Sequence, residues 1–172
     1  MLTAHLPAGY CLSRLAGKPH LASPGLLATV LICSVLPDFD LIWFQFVDNG
    51  SLHHHRYWVH VPFFWGVVGM LVIPLVWRTR FRSVAILGLA AIFLHLVLDT
   101  IAGGIMWLAP LDTTLYRLVE IPPTYSHAMI SFLLHWTFLL EIAVWFCAIA
   151  LFVTARQRQD EVVLTGIGEP ES

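Results

Sequence analysis

Charge is scarce in this chain. Only 12% of its 172 residues are Asp, Glu, Lys or Arg, against about 25% in an ordinary soluble domain. Nine basic residues and eleven acidic ones leave a formal net charge of −2. Nothing there supports binding to nucleic acid, which calls for a basic surface. Cysteine is thin as well: Cys11, Cys33 and Cys147 lie in separate segments with no CxxC pair. They read as small buried hydrophobes rather than a redox dithiol or thiolate metal site. No internal repeat is visible. No small-residue cleavage site follows the apolar run 25–36; Pro37-Asp38 does, so that run is expected to be retained rather than removed as a signal peptide.

What is present is apolar surface. Hydrophobic residues make up 58% of the chain and mean hydropathy is +0.78. Four segments stand out, residues 24–47, 61–77, 84–101 and 129–153, near the roughly 17–25 residues a bilayer-spanning helix needs. The expected fold is all-α: a polytopic membrane bundle of about four transmembrane helices, the first broken at Pro37. Residues 1–155 form one domain, and the charged, then Gly/Pro/Ser-rich stretch 156–172 reads as a disordered cytoplasmic tail. Seven tryptophans and eleven phenylalanines suit a protein with aromatic interface belts in contact with membrane lipids. Seven of the nine basic residues (Arg14, Lys18, Arg78, Arg80, Arg82, Arg156 and Arg158) fall on one side of such a four-span arrangement, and only Arg56 and Arg117 on the other. The positive-inside rule then puts both termini in the cytoplasm and the histidine-bearing connections on the outer face.

Against that background the ionisable residues inside apolar runs carry the information, because charge in a membrane segment is functional by default. His95 and Asp99 are four apart within the 84–101 run and share one helix face. Asp38 and Asp40 follow Pro37; on a regular helix they diverge by about 200°, so both can point inward only if the proline breaks the helix. His53-His54-His55-Arg56, followed by His60, has the spacing of three to five residues common between zinc ligands. Imidazole and carboxylate donors without thiolates favour zinc, with manganese or iron as alternatives. The expected metal ligands are Asp38, His55, His60, His95 and Asp99, with His5, His54, His127, His135 and Glu141 as further candidates. His5 can join only if the N-terminal segment folds back into the bundle. His135 and Glu141 are about 120° apart on a helix and do not share a face.

These motifs resemble the YdjM-like, inner-membrane-associated metal-dependent hydrolases of bacteria. The resemblance is carried by His5 with Gly9, by Pro37-Asp38-Phe39-Asp40, by His55-Arg56-Tyr57-Trp58-Val59-His60, and by His95-x-x-x-Asp99 with Gly103. His135-Trp136 followed by Glu141 fits the same pattern, over about residues 1–150. One departure is plain: Val59 stands where the pattern has threonine. The resemblance implies a bacterial inner-membrane location, a bound divalent metal and hydrolysis. A fainter likeness, through the His-x-x-x-Asp pair, is to zinc-dependent phospholipase C.

The functional expectation is an integral-membrane hydrolase in which a metal acidifies water for attack on a lipid-like or other small-molecule ester, with a phosphodiester favoured. Asp40 or Asp99 would act as general base, and Arg56 would pair with an anionic substrate group. Two alternatives come from other classes. One is a haem-binding electron-transfer protein with His95 and His135 as axial ligands; the other is a non-enzymatic ion path or structural membrane protein.

Overall fold

The computed structural model describes residues 1, 3–16, 23–47 and 54–166; the side chains at 54, 128 and 162–166 lie outside that description. Its architecture is all-α. The helices are α1 (His5–Leu15), α2 (Pro24–Val35), α3 (Asp40–Phe46), α4 (Pro62–Val76), α5 (Arg82–Ala102), α6 (Ala128–Leu133) and α7 (Phe138–Gly166). Short 3₁₀ turns at Pro37–Phe39, His54–Arg56 and Trp58–His60 join them.

Local chemistry accounts for most of these boundaries. The Ser23 hydroxyl accepts from the Leu26 N–H and Pro24 takes the first helical position, a standard helix start for α2. Pro37 supplies no N–H and its ring clashes with a continuing helix, so α2 gives way to a 3₁₀ turn. Across this break α2 and the Pro37–Phe46 segment bend by 55°. Arg82–Ala102 and Phe138–Glu161 are long and apolar enough to cross a membrane, and the bent pair makes a third candidate. The apolar helix α4 has only 15 residues, about 22 Å of rise against a hydrocarbon core near 30 Å.

Two boundaries differ from the sequence expectation. The apolar stretch 129–153 is not one helix: α6 stops at Leu133 and α7 starts at Phe138. Between them His135 Nδ1 lies 3.0 Å from the Thr137 hydroxyl and accepts from the Thr137 N–H. Such local side-chain bonds compete with the helical ladder. At the other end, α7 runs on to Gly166 and takes in the first part of the segment read as a disordered tail. Residues 155–161, Ala-Arg-Gln-Arg-Gln-Asp-Glu, are mostly good helix formers that need no apolar face to continue it.

The bundle is built around α2 and α5, which pack on each other; α1 covers α2 and also meets α5 and α7, while α4 lies on α5. Trp65, Ile92, Leu96 and Ile105 form one core cluster, and Leu26, Val30 and Ala91 another. The α1–α2 crossing is close because Gly9 has no side chain. A Cβ there would lie 2.6 Å from the Cβ and Oγ of Ser34. Elsewhere the usual distribution is reversed. Phe46, Met70, Leu75 and Phe146 are exposed on the outside, whereas His60, His95, Asp99, Thr137 and Glu141 are buried. A soluble monomer rarely shows that much apolar surface; a bilayer requires it.

Candidate metal centre

Four stretches of chain deliver the polar residues to one place. His95 and Asp99 project from consecutive turns of α5. The His95 Nδ1–H donates to the Ser34 carbonyl of α2 at 2.8 Å. That contact sets the tautomer and leaves Nε2 to present its lone pair in the neutral ring. The 3₁₀ turn at Pro37 resolves the spacing of the two aspartates. Asp38 turns toward His95 and His60, while Asp40, the first residue of α3, is buried. The His60 Nδ1–H donates to Asp40 Oδ2 at 2.7 Å, so its Nε2 is likewise directed into the cluster. This carboxylate–imidazole arrangement is the one that orients histidine ligands in metal proteins. Burial pushes the His60 imidazole down, but hydrogen bonds and charge from Asp40 and Asp99 outweigh it and raise the pKa to about 9.

Asp99 is the point of convergence. Its Oδ2 has His95 Nε2 at 3.1 Å, His55 Nε2 at 3.4 Å and His60 Nε2 at 3.7 Å. Its Oδ1 has His5 Nε2 at 3.1 Å and the α-amino group of Met1 at 2.7 Å. Yet Oδ2 accepts no hydrogen bond, although it is fully buried. His95 and His60 face each other through their Nε2 atoms at 3.4 Å. His5 stacks on His95 with ring centroids 3.8 Å apart, and its Nδ1 is also buried without a hydrogen-bond partner. Buried polar atoms are normally paired, and each exception asks for an explanation. For Asp99 Oδ2 the surrounding donor set supplies one: it fits a divalent cation. Two groups have ligand atoms within 4.8 Å of one another: His5, Asp38, His95 and Asp99, and His55, His60 and Asp99.

A cavity of about 290 Å³ adjoins the cluster. Asp38 and His55 line it on the polar side, with Leu41, Gly103, Met129 and Phe132 among its other walls. Gly103, immediately after α5, is what admits His55. A Cβ on it would overlap the His55 imidazole at Cε1 and lie 2.8 Å from its Nδ1.

The remaining candidates lie elsewhere. Arg56 follows His55 on the same 3₁₀ turn but is exposed and is not part of the cavity wall. The side chain of His54 is outside the described residues. His127 is exposed and caps α6 by accepting from the Met129 N–H, and His135 is engaged with Thr137. Neither belongs to the two ligand groups. Glu141 is buried, but its Oε2 accepts from the N–H and hydroxyl of Thr3, both at 2.7 Å. It therefore ties down the segment leading into α1 and His5. Replacing Glu141 with leucine should release that segment and weaken cation binding roughly tenfold, the lower end of what outer-shell partners contribute. Competition with a chelator measures this, with Glu141→Gln expected to lose less. Two contributors carry no sequence signal: the Ser34 carbonyl, which any residue could offer, and the Thr3 backbone.

A helical membrane protein with a buried histidine–aspartate cluster able to hold a metal is the class that fold and site define. The family of the YdjM inner membrane protein matches residues 1–161, and the chain belongs to it. No curated protein and no solved structure matches, so the likeness to phospholipase C rests on the His-x-x-x-Asp spacing alone.

Proposed function

We propose that this protein is an integral inner-membrane, metal-dependent hydrolase acting on an amphipathic ester, with a lipid-like phosphodiester as the favoured substrate. The observation that carries the reading is the approach of three imidazole nitrogens to one buried, otherwise unpaired carboxylate oxygen of Asp99, beside a cavity of substrate size. His5, Asp38, His55, His60, His95 and Asp99 would hold the cation, zinc before manganese or iron given the nitrogen and oxygen donors. When bound it supplies Lewis acidity, polarising an ester or phosphoryl oxygen and acidifying water near neutral pH.

The chain's own residues do the rest. The Ser34 carbonyl and Asp40 fix the His95 and His60 rings so that their Nε2 atoms need no reorientation. Asp40, whose Oδ1 is buried without a hydrogen-bond partner, is the proton acceptor best separated from the ligand groups. Asp38 reaches both the cluster and the cavity. The apolar walls at Leu41, Met129 and Phe132 exclude water and receive a hydrocarbon portion. Arg56, exposed and next in sequence to the wall residue His55, attracts an anionic headgroup. The distribution of basic residues supports cytoplasmic termini and a centre that opens toward the outer face.

The test uses protein purified in detergent, loaded with zinc or manganese, and offered phosphodiesters and carboxylic esters on short acyl chains. Hydrolysis that disappears with a chelator and returns with metal is the expected result. Metal-loaded protein inert toward both ester classes argues for a non-enzymatic role. A Soret band in the same sample would instead favour haem.

A further inference from the structure

Asp99 is shared by both groups of potential ligands, and its two oxygens face different partners. Oδ1 looks to His5 and the Met1 α-amino group, while Oδ2 looks to His55, His60 and His95. Resting on the metal-dependent reading above, we infer that the centre holds two divalent cations bridged by the Asp99 carboxylate.

The first position draws on His5, Asp38, His95 and Asp99, and the second on His55, His60 and Asp99. Four protein donors close a tetrahedral shell, as in structural zinc sites. Three leave one coordination position open, as catalytic zinc requires. Each group has one wall residue of the cavity, Asp38 in the first and His55 in the second. The open position of the three-donor group makes the second cation the one a substrate can bind, and the first a fixed electrostatic anchor.

Charge permits a second ion. Asp38, Asp40 and Asp99 bring three formal negative charges, and the Met1 α-amino group beside Asp99 offsets one of them. One divalent cation then makes the centre neutral. A second brings it to +2, which attracts a phosphodiester into a buried site where uncompensated charge is costly. The donor count agrees. Six residues, His5, Asp38, His55, His60, His95 and Asp99, offer potential ligand atoms, more than the four that close one tetrahedral shell.

The experiment is metal stoichiometry on the full-length protein in detergent, by elemental analysis after loading and desalting, with electron paramagnetic resonance of the manganese form. Wild type should carry two ions per chain and show an exchange-coupled manganese pair. His55→Ala should fall to one ion with an uncoupled signal and an unchanged elution volume. A single ion in wild type with an uncoupled manganese signal overturns the two-ion centre while leaving a metal-dependent protein intact. No tightly bound ion at all removes the metal reading itself. If His55→Ala does not fold, the wild-type count and spectrum decide the question on their own.

Discussion

Asp99→Asn should nearly abolish divalent-cation binding, the largest effect expected of any single substitution. Every candidate ligand group contains this carboxylate, and one amide oxygen cannot replace two charged ones facing His5, His55, His60 and His95. Loss of an outer-shell partner costs roughly 10–100-fold in metal affinity, so loss of the shared ligand should exceed that range. Asparagine keeps the shape and an acceptor, which separates the effect from collapse of the fold. Alanine would leave several buried polar groups without their partner and cost on the order of 3–5 kcal/mol in stability. Chelator competition reads the affinity, and far-ultraviolet circular dichroism with elution volume checks the fold. An Asp99→Asn protein that binds metal as tightly as wild type would falsify the assignment.

The second large effect is expected from the smallest possible change, Gly103→Ala. The backbone at Gly103 has φ −84°, which alanine adopts without strain. Its N–H bond to the Asp99 carbonyl can also persist. What the new methyl cannot do is share space with the His55 ring. His55 should be displaced from the cluster, lowering cation binding by roughly 10–100-fold and suppressing any hydrolysis, while overpacking costs about 1–3 kcal/mol of stability. Gly104→Ala is the matched control. With φ +86° at that position it strains the backbone and lowers stability by about 1–2 kcal/mol, but its Cβ would face Leu115 and Arg117 rather than His55. Metal content after gel filtration distinguishes the two.

How far these features could be read in advance follows from the range over which a sequence pattern acts. The α5 helix and the shared face of His95 and Asp99 were legible because both depend only on local periodicity. The break at Pro37 was legible for the same reason, and with it the condition under which Asp38 and Asp40 could both turn inward. His5 was a different case. Nothing within α1 says which neighbours it meets; the close Gly9–Ser34 crossing decides that. Likewise His135 and Glu141 sit in one apolar stretch, and hydropathy alone could not separate them. One spends its imidazole on a turn that splits the stretch, and the other holds Thr3. The Ser34 carbonyl was invisible in principle, since every residue has one.

The ligands belong to α1, the Pro37 turn, the segment before α4, and α5. An ion bound to them joins pieces of chain separated by as many as 94 residues, from His5 to Asp99. Its three cysteines are all free. The cation can then do for this protein what a disulfide does for a secreted one, by closing long loops in the unfolded chain. Binding to the folded form alone adds about 2.7 kcal/mol at a hundred times the dissociation constant. The inventory of metal in the surrounding compartment would then set how long the protein survives, independently of any substrate it turns over.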